Sequence, residues 1–180
     1  MRPRGEYYSK ILRLPYRGAP TTVGTIRDAV LKSQDHYCVR ELAELICQDI
    51  REKDYISEPL AILFYVSQKC RYMRDPRTIE LVEAPYVTCK RILAGEKPSI
   101  DCDAMCALIA ALCLASGCET RCATLAFKHM FYQNERQYSH ICCQVKDPKT
   151  DTWCTLDPVA GPQTKEMLNR AIAVKYWSIA

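Results

Sequence analysis

The most apolar run in the chain, Asp101 to Leu114, carries Met105, Leu108, Ile109 and Leu112 at i, i+3, i+4 and i+7, which predicts a helix. Asp101 stands where an N-cap carboxylate accepts the free N–H groups of a first turn. Gly117 stands where a left-handed residue ends one. Upstream the period stays helical. A short helix is expected from Thr25, with Ile26, Ala29, Val30 and Leu31, and a second from Asp35 to Ile50, with a stripe of Val39, Leu42, Ala43, Leu45 and Ile46. Ser57-Glu58-Pro59 starts a third, which carries Leu60, Leu63, Phe64 and Val66 toward Tyr72. Thr78 to Glu83 alternates and is extended, and Ala84-Pro85 opens a short helix ended by Gly95.

After Gly117 the period becomes two. Glu119–Phe127, Tyr138–Val145 and Thr152–Asp157 read as strands, separated by a polar loop from His129 to Arg136 and a turn at Asp147–Asp151. A helix from Thr164 to Ile172 and a strand from Val174 to Trp177 close the chain. Helices followed by a meander define an α+β fold, with the Cys102 helix packed across an antiparallel sheet. Residues 1–24, rich in Pro, Gly and Tyr, form an extended arm with a strand near Tyr8–Leu14, and residues 25–180 form a single domain.

Composition narrows the classes. The net charge of +4 is mild and the basic residues are scattered, which argues against a nucleic-acid partner. No apolar stretch reaches the roughly 18 residues that span a bilayer, and no apolar signal core follows the basic N-terminus. The expectation is therefore a cytoplasmic chain with no membrane partner, in which most of the 12 cysteines are small buried hydrophobes. Their spacings include no C-x2-C pair, so no metal or other cofactor is expected.

Three residues carry candidate chemistry. Cys102 opens the buried helix, where free N–H groups and the dipole favour a thiolate. Cys106, one turn later, is its rival. A hairpin centred on Pro148–Lys149 would face His140 at the start of one strand with Asp157 at the end of the next. Cysteine, imidazole and carboxylate in that order are the parts of a thiol nucleophile, its general base, and the group that orients the base. The Cys102 backbone N–H is the first candidate for stabilising an oxyanion, and Tyr86, Tyr72 and Gln68 are the candidate side chains. Among the other histidines, His129 reads as exposed loop and His36 has no evident partner.

The sequence resembles the transglutaminase-like domain in its bacterial and phage-type branch, over about residues 26–160. The likeness is carried by Ile100-Asp101-Cys102-Asp103-Ala104 and the Leu/Ala helix after it, and by Ala115-Ser116-Gly117 leading to Arg121. Tyr138-Ser139-His140-Ile141 and Trp153-Cys154-Thr155-Leu156-Asp157-Pro158 supply the histidine and aspartate motifs. Arg71 to Pro76, with Glu80 and Pro85, resembles the segment that precedes the nucleophile. Two positions depart from the family pattern: Ile100 replaces a glycine and Ala104 an aspartate.

The resemblance implies a papain-like core and a triad of Cys102, His140 and Asp157. It also implies acyl transfer or hydrolysis at amide bonds through a thioester on Cys102, on a protein or peptide substrate. An origin in a phage would make the protein virion-associated. The alternative is a catalytically weak domain serving as an interaction or assembly module, with the arm of residues 1–24 contacting a partner.

Overall fold

The computed structural model describes residues 9–13, 18–76, 79–128 and 138–179. The loop expected from His129 to Arg136 lies outside them, as do residues 1–8 and 14–17 of the arm. The arm contributes strand β1 (Ser9–Arg13), which pairs antiparallel with β3 (Ile79–Glu83). Helix α1 (Ala19–Ser33) begins six residues before the expected start at Thr25. Gly18 takes a positive φ of 76° and Pro20 occupies the first turn, where its missing N–H costs nothing. The proline that reads as a breaker is therefore a helix start.

In α2 (Tyr37–Cys47), His36 is the N-cap, its Nδ1 accepting from the Cys38 N–H at 3.3 Å. Helix α3 (Ser57–Lys69) is anchored by Asp54, whose Oδ1 accepts from the Ile56 and Ser57 N–H groups. It ends at Lys69, short of the expected Tyr72. Pro59, Ile62 and Val66 are buried, whereas Leu60 and Phe64 are 44% and 66% exposed. The strand β2 (Arg71–Tyr72), helix α4 (Pro85–Leu93) and strand β4 (Ser99–Ile100) follow.

Helix α5 (Cys102–Ala115) is the centre of the molecule. The sequence suggests one apolar face, but every residue from Asp103 to Cys113 is buried. Helices α1, α2, α3 and α4 pack on α5, and strand β6 (His140–Asp147) covers it from the sheet. A helix apolar all round is stable only when enclosed in this way. Its two ends are held by local chemistry. Asp101 Oδ1 accepts from the Ala104 N–H at 3.0 Å, and Gly117, at φ 82°, lets the Cys118 N–H return to the Cys113 carbonyl at 2.9 Å.

The sheet runs β7-β6-β5-β8, all antiparallel, with β5 (Thr120–Ala126), β7 (Thr152–Leu156) and β8 (Ala173–Ser178). Its inner face presents Cys122, Ile141, Cys143, Val145 and Leu156 to the core around α5. On the outer face Ala123, Leu125 and Cys142 pack under Met167 and Leu168 of α6 (Thr164–Arg170). Farther along that face the Arg121 guanidinium lies 3.9 Å from the ring centroids of both Trp153 and Tyr176, and its Nε donates to Gln144 Oε1 at 2.8 Å. This α+β arrangement is the one the sequence predicts. Among the described residues no helix is long and apolar enough to cross a membrane.

The cysteines fill the interior, and all but Cys47, Cys102 and Cys154 are buried as free thiols. Burial pushes the Cys70 thiol up to about 11 and the Cys118 thiol up to about 12. An acid raised in the folded state releases its proton first in the unfolded chain, so stability falls as pH rises past the ordinary thiol value of about 8.5. Under reducing conditions the urea midpoint is expected to drop clearly between pH 8 and pH 10. A midpoint that rises or stays level over that span would contradict the burial of these thiols. Leu108→Ala, at a fully buried position of α5, is expected to cost about 2–5 kcal/mol in the same unfolding assay.

Candidate active site

Asp157 follows directly on β7 and is 1% exposed. Its Oδ1 accepts from the Val159 and Ala160 N–H groups at 2.9 and 3.0 Å, an Asx turn that fixes the carboxylate. Its Oδ2 lies 2.6 Å from His140 Nε2. A carboxylate only accepts, so His140 Nε2 donates to it.

The pairing that brings the two together is not the one expected. The β6–β7 register runs from Asp147↔Thr152 to Cys143↔Leu156, which centres the turn between Lys149 and Thr150, one residue beyond the predicted Pro148–Lys149. The cause is Asp147. It stays in β6 while its carboxylate accepts from the Lys149 N–H and the Thr150 hydroxyl, and Asp151 takes a positive φ of 56°. Continuing the register sets Asp157 opposite Cys142, so His140 is its diagonal neighbour. Diagonal residues lie farther apart than directly opposed ones, but the two side chains bridge that distance.

Cys102 meets the sheet at the same end. In β6 the Lys146 N–H donates to the Glu119 carbonyl, on the β5 side. By alternation the Ile141 N–H points the other way, to the side where the β7 ladder has stopped at Leu156. The Ile141 N–H acts on the Cys102 thiol, favouring its ionised form. The sulfur thus lies toward the end of the sheet where β7 leaves β6, near the residue after His140.

The surroundings of Cys102 work against the expected thiolate. Burial raises the Cys102 thiol well above its ordinary value, the carboxylates of Asp103 and Asp101 raise it further, and the Ile141 N–H offsets only part of this. Cys102 Sγ lies 3.6 Å from Asp103 Oδ1, a contact in which a thiol donates. Cys106, the rival nucleophile, is 1% exposed with its sulfur 3.6 Å from that of Cys122, away from any imidazole contact among the described residues. The ligand atoms of Asp101, Cys102 and Asp103 lie within 4.8 Å of one another, close enough to approach one cation. Asp101 Oδ1 already accepts the Ala104 N–H.

The three side chains considered for the oxyanion are in different settings. Tyr72 pairs through β2 with Ile100, two residues before Cys102, and is 43% exposed. The Tyr86 ring stacks on His36 at 4.7 Å between centroids, with the Lys90 ammonium 5.3 Å from its centroid. Gln68 is exposed near the end of α3. His36, which offers no partner in the sequence, is thus a helix cap and a stacking surface. The Ile141 N–H and the Asx turn after Asp157 are contributors that sequence reading passes over. The stretch Asp157-Pro158-Val159-Ala160-Gly161 signals the turn; nothing local signals the other.

No family model matches the chain, and no curated protein does. Its fold is shared with solved structures. One, a "putative protease" from Parabacteroides distasonis ATCC 8503, matches with a TM-score of 0.60 at 12% identity, over 91% of this chain and 30% of that one. Another, a "putative cysteine protease" from Cytophaga hutchinsonii, matches with a TM-score of 0.50 at 18% identity, over 94% of this chain and 58% of that one. The chain therefore spans less than two thirds of either neighbour. At these identities the likeness is one of fold.

The thiol environment has a measurable consequence. Iodoacetamide alkylation of Cys102 is expected to accelerate about tenfold per pH unit from pH 6 to 9, as for a thiol whose ionised fraction is still growing. A rate that levels off near neutral pH would show a preformed ion pair and overturn the assignment of a resting thiol.

Proposed function

We propose that this domain cleaves amide bonds through a thioester on Cys102, with His140 as general base and acid and Asp157 as the group that orients it. The observation that carries the reading is the 2.6 Å contact of His140 Nε2 with Asp157, one residue from the Ile141 N–H that acts on the Cys102 thiol. His140 Nδ1 takes the Cys102 proton as the sulfur adds to the carbonyl carbon. The carbon–nitrogen bond breaks, the imidazolium returns its proton to the leaving nitrogen, and a thioester remains. Water then gives a proton to Nδ1 as its oxygen adds to the thioester carbon, the carbon–sulfur bond breaks, the imidazolium returns the proton to the sulfur, and the acid leaves.

Because the thiol is held protonated, the first proton transfer accompanies attack. The charge on the carbonyl oxygen falls to the Cys102 N–H at the start of α5. Tyr72, through its pairing with Ile100, is the side chain favoured among the three candidates. The names of the structural neighbours favour hydrolysis over transfer to an amine. Motif order together with fold favours the transglutaminase-like superfamily, and twelve free thiols favour a reducing compartment.

Exposure to a mixed peptide library, with new N-termini counted by mass spectrometry, tests the reaction. Cys102→Ala is expected to abolish products, and His140→Ala to slow them about 10²–10⁴-fold. Products that survive Cys102→Ala would refute it.

A second reading has its own support. Burial and two flanking carboxylates work against ionisation of Cys102, as in an assembly module that keeps the fold without the rate. This reading expects Cys102 alkylation at neutral pH to be unchanged by His140→Ala, whereas the catalytic reading expects it to fall.

A further inference from the structure

A cavity of about 270 Å³ opens between the end of β5, the turn after Asp157 and α6, lined by Phe127, Ala160, Gln163, Glu166, Met167 and Arg170. Phe127, Ala160 and Met167 are half-buried and make an apolar floor; Gln163, Glu166 and Arg170 are exposed and make a polar rim. The size suits one side chain better than a larger ligand.

Two contacts tie the cavity to the candidate site. Ala160, in its wall, donates its N–H to Asp157 Oδ1 at 3.0 Å. Phe127 and Met167 pack on the cluster that contains Leu125, the cross-strand partner of His140. The cavity thus opens on the face of the sheet that carries His140 and Asp157, opposite the face that covers α5.

We propose that this cavity receives the apolar side chain of the residue on the leaving-nitrogen side of the scissile bond. The inference rests on the catalytic reading above. In that reaction the imidazole hands its proton to the departing nitrogen, so that nitrogen lies within hydrogen-bonding reach of His140. The residue that bears it continues over the histidine face of the sheet, where Phe127 and Met167 offer apolar surface and Glu166 and Gln163 offer acceptors at the rim for an amine. A leucine, methionine or phenylalanine side chain fits this chemistry; glycine leaves the floor uncovered.

The test does not depend on turnover. Protein labelled with ¹³C at its methionine methyls is titrated with L-leucinamide and L-phenylalaninamide, which mimic the departing residue, and with glycinamide and N-acetylleucine as controls. The Met167 signal, assigned by Met167→Leu, is expected to move saturably with the first two and not with the controls. Ala160→Trp is expected to abolish the shift, and Phe127→Ala to weaken binding at least tenfold should the tryptophan variant fail to fold.

A Met167 methyl indifferent to every probe would overturn the subsite. A response to N-acetylleucine alone would transfer the cavity to the acyl side and equally overturn the assignment. The same titration on Cys102→Ala is expected to give the same shift. Failure of the catalytic chemistry is read separately, from the dependence of Cys102 alkylation on His140.

Discussion

Helix α5 has no polar face to give to water, and the rest of the structure answers that constraint. Four helices and a sheet enclose it, so that its side chains from Asp103 to Cys113 are all buried. Enclosure of the shaft leaves the first residue, Cys102, at the margin, where the helix start meets the end of the sheet. The sulfur lies toward the end of the sheet where β7 has left β6, and the Ile141 N–H there acts on it. Cys102 is thus placed by the end of a β-ladder as much as by the helix that carries it.

The early ending of β7 is equally productive. Asp157 leaves the ladder, turns back on its own backbone through the Val159 and Ala160 N–H groups, and keeps one carboxylate oxygen for His140. Two backbone donors and one imidazole compensate a carboxylate that is otherwise removed from water. The same turn forms the wall of the cavity under α6. The setting of the His140 ring and the shape of the neighbouring surface therefore depend on one short stretch of chain.

Acid lies close to the sulfur. Asp101 caps the helix and Asp103 approaches the thiol, so each carboxylate that supports the helix start also opposes ionisation of Cys102. Helix stability and thiol ionisation pull in opposite directions at this end of α5. In the catalytic reading proposed above, a thiol that gives up its proton only during attack would reconcile them.

The sequence alone was enough for the α+β order of elements, the position of Cys102 at a helix start, and the placement of His140 at the start of one strand with Asp157 at the end of its neighbour. Those features follow from period, caps and turn residues, all local along the chain. It was not enough for the buried face of α3, because Leu60 and Phe64 are as apolar as Ile62 and Val66 and only packing distinguishes them. Nor did it set the β6–β7 register, which the Asp147 side chain decides, or the charge state of Cys102, which depends on how much water the fold removes. Ile141 and Cys102, far apart in the chain, are brought close enough for one backbone N–H to act on the other's thiol. That juxtaposition is decided only when the sheet closes against the helix.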